Sequence, residues 1–321
     1  MTGNESSDYR YLLIGGTPKS GTTSVFRYLS HHPEVCPSNR KETYFFAREF
    51  DYKGVSKSDK TLDAFNEYFS HCDRTEKWNL SATPYTLYSN RAAQEISALL
   101  PNARMIFILR EPIARLFSDY KFHLQRNHPH VKGTFAEFVD EQFEMSKTTQ
   151  IPNLLELGCY SKYLQSFYNF FDKNKISIIF FRELMSNPQD EIQKFCLEIG
   201  IDPKFYTNYS FDAHNQTINV RYNFLNQVSM AMEPMITSAR AKLMHNPKLY
   251  GLFEKAVNSG KSTYYGLNNR RPSDSSKLEN VPKEVIKKLE EYYQPYNKKL
   301  SRELGKPLPW KRMRTQEQGN A

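Results

Sequence analysis

The sequence predicts an α/β fold: one domain with a central, mainly parallel sheet flanked by helices. Three observations lead there. Short apolar runs of strand length recur, at Tyr11-Leu12-Leu13-Ile14, at Arg104 to Leu109 and at Ile176 to Phe181. Each is followed, directly or after a short connection, by apolar residues at helical spacing. The first strand also runs into a loop of Gly, Ser and Thr that opens a helix. Strands alternating with helices imply parallel neighbours with both sheet faces covered.

The elements follow in order. Gly15-Gly16 closes the first strand, and a helix is predicted from about Thr22 to His31, with Val25, Phe26 and Leu29 on one face and Pro33 beyond its end. A further helix spans Ala92 to Leu100. After the second strand, Pro112 stands where proline favours the first helical turn, and Ile113, Leu116, Phe117 and Tyr120 follow at helical spacing. Tyr160 to Phe171 and Pro188 to Ile199 read as helices. The stretch from Asn258 to Asn280, rich in Ser, Asn, Lys and Arg, reads as a loop. A last amphipathic helix is predicted from about Lys283 to Leu304, with Trp310 anchoring the end. With no repeat and no linker, the domain is expected over 1–310, followed by a basic flexible tail over 311–321.

The 321 residues suffice for a large core, and 22 Phe with 21 Tyr predict that much of it is aromatic. Lys and Arg number 44 against 35 Asp and Glu, a net charge of +9, most of it outside the tail. That excess suits an anionic partner, whether nucleotide, sulfated or phosphorylated substrate, nucleic acid or membrane surface, and equally a basic surface with no ligand. Cys36, Cys72, Cys159 and Cys196 lie far apart with no C-x-x-C pair. The spacing argues against a zinc site and gives little support for a disulfide framework. The polar, acidic N-terminus is not a signal peptide, and no apolar run reaches the length of a bilayer span. The expectation is a cytoplasmic protein without a membrane partner.

The loop Gly16 to Thr23 lies where α/β sheets bind ligands, beyond the carboxyl end of a strand. Glycine lets the backbone approach an anion, helix amides point at it, and Lys19 adds a charge. The glycine spacing resembles an ATP-binding loop of the form G-x-x-x-x-G-K-[ST]. Here, however, Thr22 stands in the lysine position, and the strand at 104–109 ends in Arg110 rather than a metal-holding aspartate. Both departures favour phosphate binding through direct positive charge without a metal. An ATP- and magnesium-dependent small-molecule kinase is the alternative enzyme. A non-catalytic anion or nucleic-acid binder is the other alternative, although no recognised nucleic-acid motif is present.

Thr17-Pro18-Lys19-Ser20-Gly21-Thr22-Thr23 resembles the 5′-phosphosulfate loop of sulfotransferases that use 3′-phosphoadenosine 5′-phosphosulfate (PAPS). Arg110-Glu111-Pro112-Ile113-Ala114-Arg115-Leu116-Phe117-Ser118-Asp119-Tyr120 resembles their 3′-phosphate segment. The match is closer to the branch with heparan sulfate O- and N-sulfotransferases and bacterial small-molecule enzymes than to the cytosolic phenol and steroid enzymes. His32-Pro33-Glu34-Val35, Lys41-Glu42 with Phe45-Phe46, Gly158-Cys159-Tyr160 and Tyr292 to Asn297 resemble further family signposts, so the likeness covers nearly the whole chain.

The resemblance implies sulfuryl transfer from PAPS, with adenosine 3′,5′-bisphosphate (PAP) as product and no metal. Pro18, Lys19, Ser20, Gly21, Thr22 and Thr23 would hold the 5′ end, with Lys19 also catalytic. Arg110 and Ser118 would hold the 3′-phosphate. Tyr160 would pack near it or serve as core, and Arg270 with Arg271 would close over the nucleotide or stay solvated. Glu42 matches the family's general base, with His31, His32 and His123 as rivals. Relatives acting on heparan sulfate often carry a lysine before the pair matching Thr83-Pro84, where this chain has Ser81-Ala82. That departure favours a small-molecule acceptor, such as a bacterial natural product. Phe46, Tyr85, His123 and Tyr222 are candidates to line its pocket.

Overall fold

A computed structural model describes residues 10–211 apart from 53, 58, 74, 127–130, 132 and 150, scattered positions between 228 and 264, and residues 278–310. Five strands form one sheet: β1 (Tyr11–Gly16), β2 (Val35–Pro37), β3 (Trp78–Ala82), β4 (Arg104–Leu109) and β5 (Ile176–Phe180). Their order is β2-β3-β1-β4-β5, and every neighbouring pair is parallel. The connections therefore leave β1 in opposite directions: β2 and β3 are added on one side, β4 and β5 on the other. A crevice opens at such a reversal, outside the carboxyl end of the central strand.

Helices supply the covering layers: α1 (Thr22–Ser30), α2 (Leu62–Asn66), α3 (Ala92–Leu99), α4 (Pro112–Gln125), α5 (Phe135–Met145), α6 (Tyr160–Phe170), α7 (Phe181–Ser186), α8 (Pro188–Ile199) and α9 (Lys283–Leu304). Every residue of β1 is buried, as a central parallel strand covered on both faces requires. Leu12, Ile14, Ile106 and Ile108 pack with Val25 and Leu29 of α1 and with Ile192, Phe195 and Ile199 of α8. On the other face Phe107 meets Phe167 of α6, ring centroids 4.9 Å apart. Burying a side chain of this size stabilises by about 1.5–3 kcal/mol.

By contacts the chain divides into two compact units. One comprises residues 1–119, 134–215 and 283–321 and carries the whole sheet; the other comprises 120–133 and 216–282. Within the second, Tyr120 donates to the Gly133 carbonyl at 2.7 Å. Ser259, Gly260, Thr263 and Tyr264 are helical there, and the Thr263 hydroxyl donates to the Ser259 carbonyl at 3.1 Å. The loop expected from Asn258 is therefore helical at its start. Residues 265–277 and the tail 311–321 lie outside the described residues.

The last helix spans Lys283–Leu304 as its periodicity predicts, and Trp310 packs against Tyr160 and Phe180, at 6.2 and 6.5 Å between ring centroids. The third apolar run ends one residue early: Phe181 begins α7. The reading of the cysteines needs correction. Cys36 of β2 and Cys72 are joined by a disulfide, while Cys159 and Cys196 are free and buried. Their sequence spacing hides this pairing, because it is made by the turn after α2 folding back on the edge strand. Among the described residues, no helix is long and apolar enough to cross a membrane.

Candidate active site

The loop after β1 is held from below by β4. The Thr17 amide donates to the Ile108 carbonyl at 3.0 Å and its hydroxyl to the same oxygen at 3.1 Å. The Thr17 and Ser20 hydroxyls lie 2.7 Å apart, both fully buried. Ser20 therefore stiffens the loop from inside, with its hydroxyl turned away from solvent, and Pro18 is buried beside it. Gly21 caps α1 with φ of 83° and brings no side-chain cap to the helix. A Cβ on Gly21 would approach the Phe181 ring to 3.2 Å, so both conformation and space call for glycine. Thr22 and Thr23 open the helix, and no acidic residue occupies its first turn.

Lys19 has φ of 62°, Glu42 65° and Tyr44 51°. Left-handed backbone is costly for residues with a Cβ and persists where surrounding structure enforces it. All three lie in segments at the carboxyl edge of the sheet. The Glu42 amide donates to the Ala82 carbonyl at the end of β3 at 2.7 Å, and the Tyr44 amide to the Thr83 hydroxyl at 3.3 Å. Thr83 in turn donates its amide to Ile14 of β1 at 3.0 Å. This ladder carries the Glu42 carboxylate to the edge from which the lysine loop springs. Lys41 donates to Glu42 Oε1 at 2.6 Å and the Tyr44 hydroxyl to Oε2 at 3.3 Å. Burial, and then the Glu42 charge, push the Tyr44 phenol far above its ordinary pKa, so it stays a donor.

Arg110 follows β4 and reaches the same loop, donating through Nη1 to the Lys19 carbonyl at 2.9 Å. Its guanidinium lies 4.7 Å from the Phe181 ring centroid, a cation–π contact. Burial pulls its pKa below the ordinary arginine value, opposed by nearby Tyr160 and Glu111. Tyr160 is 1% exposed and donates to the Arg110 carbonyl at 2.7 Å. It thus supports Arg110 from within the core. Ser118 is buried on α4. One turn before it, Arg115 is fully buried and pairs with Asp119 and the Leu154 carbonyl. Burial raises the Asp119 pKa, against the pull of Arg115, Lys19 and Arg110.

The remaining candidates have these surroundings. His32 is buried with both ring nitrogens engaged, Nε2 at 2.9 Å from the Asp202 carbonyl and Nδ1 accepting from the Glu34 amide. His31 is exposed at the far end of α1 and hydrogen-bonds Tyr209 at 2.6 Å. His123 lies half-buried in the last turn of α4, in the second unit, with its ring 5.5 Å from Phe122. Phe46 is buried in a cluster with Phe45 and Phe65, whereas Tyr85 is half-buried and stacks on Phe50 at 5.1 Å. Arg270, Arg271 and Tyr222 lie outside the described residues. Tyr44, Phe181 and Glu111 are contributors that sequence reasoning missed. For Tyr44 a signal existed, a hydroxyl two residues beyond Glu42; for Phe181 there was none.

The edge presents a lysine and a guanidinium joined through one loop carbonyl, hydroxyls at the start of α1, and a carboxylate held by two donors. Such a set has the chemistry to bind a dianionic group and to accept a proton beside it. A model of the sulfotransferase domain matches residues 10–246, and the chain belongs to that family as a sulfotransferase enzyme. Mouse heparan sulfate glucosamine 3-O-sulfotransferase 3B1 is 22% identical over 312 residues, covering 97% of this chain and 67% of that protein. Human bifunctional heparan sulfate N-deacetylase/N-sulfotransferase 2 is 29% identical over 212 residues, 62% of this chain and 22% of that protein. This chain thus spans about two thirds of the first relative and about a fifth of the second. A sulfotransferase from Alicyclobacillus acidocaldarius superposes with a TM-score of 0.55 at 21% identity, over 74% of this chain and 97% of that one, and shows the fold.

Proposed function

We propose that the chain transfers a sulfuryl group from PAPS to a hydroxyl, or an amine or amide nitrogen, of a small-molecule acceptor. The observation that carries this reading is the hydrogen bond from Arg110 to the Lys19 carbonyl, 2.9 Å, which unites the segments after β1 and β4 in one anion-binding edge. When bound, PAPS supplies the activated sulfuryl group, and PAP leaves as product.

Lys19 and the first amides of α1 hold the 5′ end. Negative charge grows on the departing phosphate, so a cation aimed there favours the transition state over the ground state. Arg110 offers a planar fork and Ser118 a buried hydroxyl to the 3′-phosphate. Glu42 takes the acceptor's proton. Lys41 balances its charge and Tyr44 fixes its second oxygen, which leaves the carboxylate oriented toward the edge. Binding rests on these side chains and amides alone and requires no metal.

The small size of the acceptor is supported by the residues beside Glu42. Ser81 and Ala82 are buried at the end of β3 and offer no cation to a polyanionic chain. The Phe50–Tyr85 stack and the 83% exposed Tyr52 instead give this side an aromatic character. The test incubates the protein with PAPS and a metabolite extract, without added metal, and reads a sulfate mass gain with release of PAP. Glu42→Gln should lower kcat by roughly 100- to 10,000-fold with PAP affinity retained. Turnover lost in His123→Ala but kept in Glu42→Gln would move the base to the histidine.

A further inference from the structure

Sulfuryl transfer leaves the bond between Cys36 and Cys72 without a role. The Cα atoms are 6.1 Å apart, within the span a disulfide bridges. Cys36 is 1% exposed in the edge strand β2, whereas Cys72 is half-buried beside exposed His71, whose Nε2 lies 3.6 Å from the Cys72 sulfur. The closed stretch has a sequence separation of 36 and contains Lys41, Glu42 and Tyr44. It also contains the aromatic patch under them: Phe45 and Phe46 lie 5.1 and 5.2 Å from Phe65 of α2. A backbone hydrogen bond from Asn39 to Tyr68, 2.8 Å, is the non-covalent companion of the disulfide. The donor loop at Thr17–Gly21 and the Arg110 segment lie outside the closed stretch.

We propose that the Cys36–Cys72 disulfide is a reducible brace on the segment that carries Glu42, so that a dithiol reductant lowers acceptor turnover while leaving donor binding intact. The covalent part stands on the geometry alone; its effect on turnover rests on the reading of Glu42. Reduction proceeds from the accessible side. A thiolate of the dithiol attacks the Cys72 sulfur, the S–S bond breaks, and Cys36 leaves as a thiolate that takes a proton from water. The second thiol of the reductant then attacks the mixed disulfide, freeing Cys72 and closing the reductant to its own disulfide. Two electrons pass to the protein and two protons end on its cysteines. His71 is placed to stabilise the Cys72 thiolate as it leaves.

Opening the brace releases a loop whose closure was constrained in the unfolded chain. The experiment compares the full chain before and after a dithiol, by intact mass, thiol titration, melting, PAP titration and steady-state kinetics. The expected result is a gain of about 2 Da with two new thiols. A melting point lower by roughly 5–10 °C should accompany it. Acceptor kcat/KM should fall about 3- to 10-fold, with the PAP Kd unchanged within about twofold. The double variant Cys36→Ser, Cys72→Ser should start in the low-turnover state and ignore the reductant. Four free thiols in air-handled protein would overturn the brace, as would stoichiometric zinc held by Cys36, His71 and Cys72. Reduction proven by mass with unchanged acceptor turnover would also overturn it. Absence of transfer in the fully oxidised protein would instead strike the proposed function and leave the covalent bond standing.

Discussion

Helices α1 and α4 start at the same edge of the sheet and treat their first amides in opposite ways. α1 begins behind Gly21, with no side-chain cap and no acid in its first turn. α4 begins behind Glu111, whose carboxylate accepts from the Ile113 amide at 3.0 Å and the Ala114 amide at 2.6 Å. A helix start carries partial positive charge that an anion satisfies. At α4 the protein supplies its own anion; at α1 no acid stands in the first turn, so the place is open to an anion from outside. The difference suggests how the proposed bisphosphate would be held at its two ends. On the proposed reading, backbone and lysine would serve one end, and the side chains of Arg110 and Ser118 the other.

The largest effect is expected where the comparison is sharpest. Lys19→Ala should lower kcat by roughly 100- to 1,000-fold in a PAPS turnover assay, and near-normal activity would end the assignment. Next, Arg110→Ala should weaken PAP about 10- to 100-fold by calorimetric titration, since a charged hydrogen-bond donor is lost. A change confined to PAPS turnover, with PAP affinity intact, would mean that α4 binds through something else. Gly21→Ala forces a Cβ into left-handed backbone and against Phe181. It should cost about 1–2 kcal/mol of stability and loosen PAP as well.

The smallest effect tests the self-capped helix. Burial raises the folded pKa of Glu111 above its ordinary value, against the two amides that stabilise its charge. The folded protein therefore holds that proton more tightly than the unfolded chain. The associated stability is fully present below the ordinary glutamate pKa and is lost as pH climbs through the raised one. Glu111→Gln should remove this slope, flattening the melting temperature against pH across that window. A loss of about 1 kcal/mol from the weakened cap should remain at every pH.

Periodicity and apolar runs were enough to locate β1, β4, α1, α4 and α9, because each pattern is local: six buried residues in a row, or a stripe at helical spacing. The lysine loop was legible for the same reason, since its residues are consecutive. What stayed hidden depends on distant segments meeting. Cys36 finds Cys72 only after α2 folds back. Phe181 reads as the end of an apolar strand, yet it starts α7 and lies against both Gly21 and Arg110. Tyr160 was readable as core or site, and its hydrogen bond to the Arg110 carbonyl gives it a supporting place beneath the surface. Glu111 looked like part of a motif and is in fact the cap of the helix that the motif opens.

Phe181 also serves as a backing. Its ring lies against the turn at Gly21 and beneath the guanidinium of Arg110, which itself donates to the Lys19 carbonyl, so one aromatic plate backs both segments where they meet. On the proposed reading, a nucleotide with its charges crowded on one end would leave the Arg110 side of that plate unpaired. One with a second charge across the ribose would meet both sides.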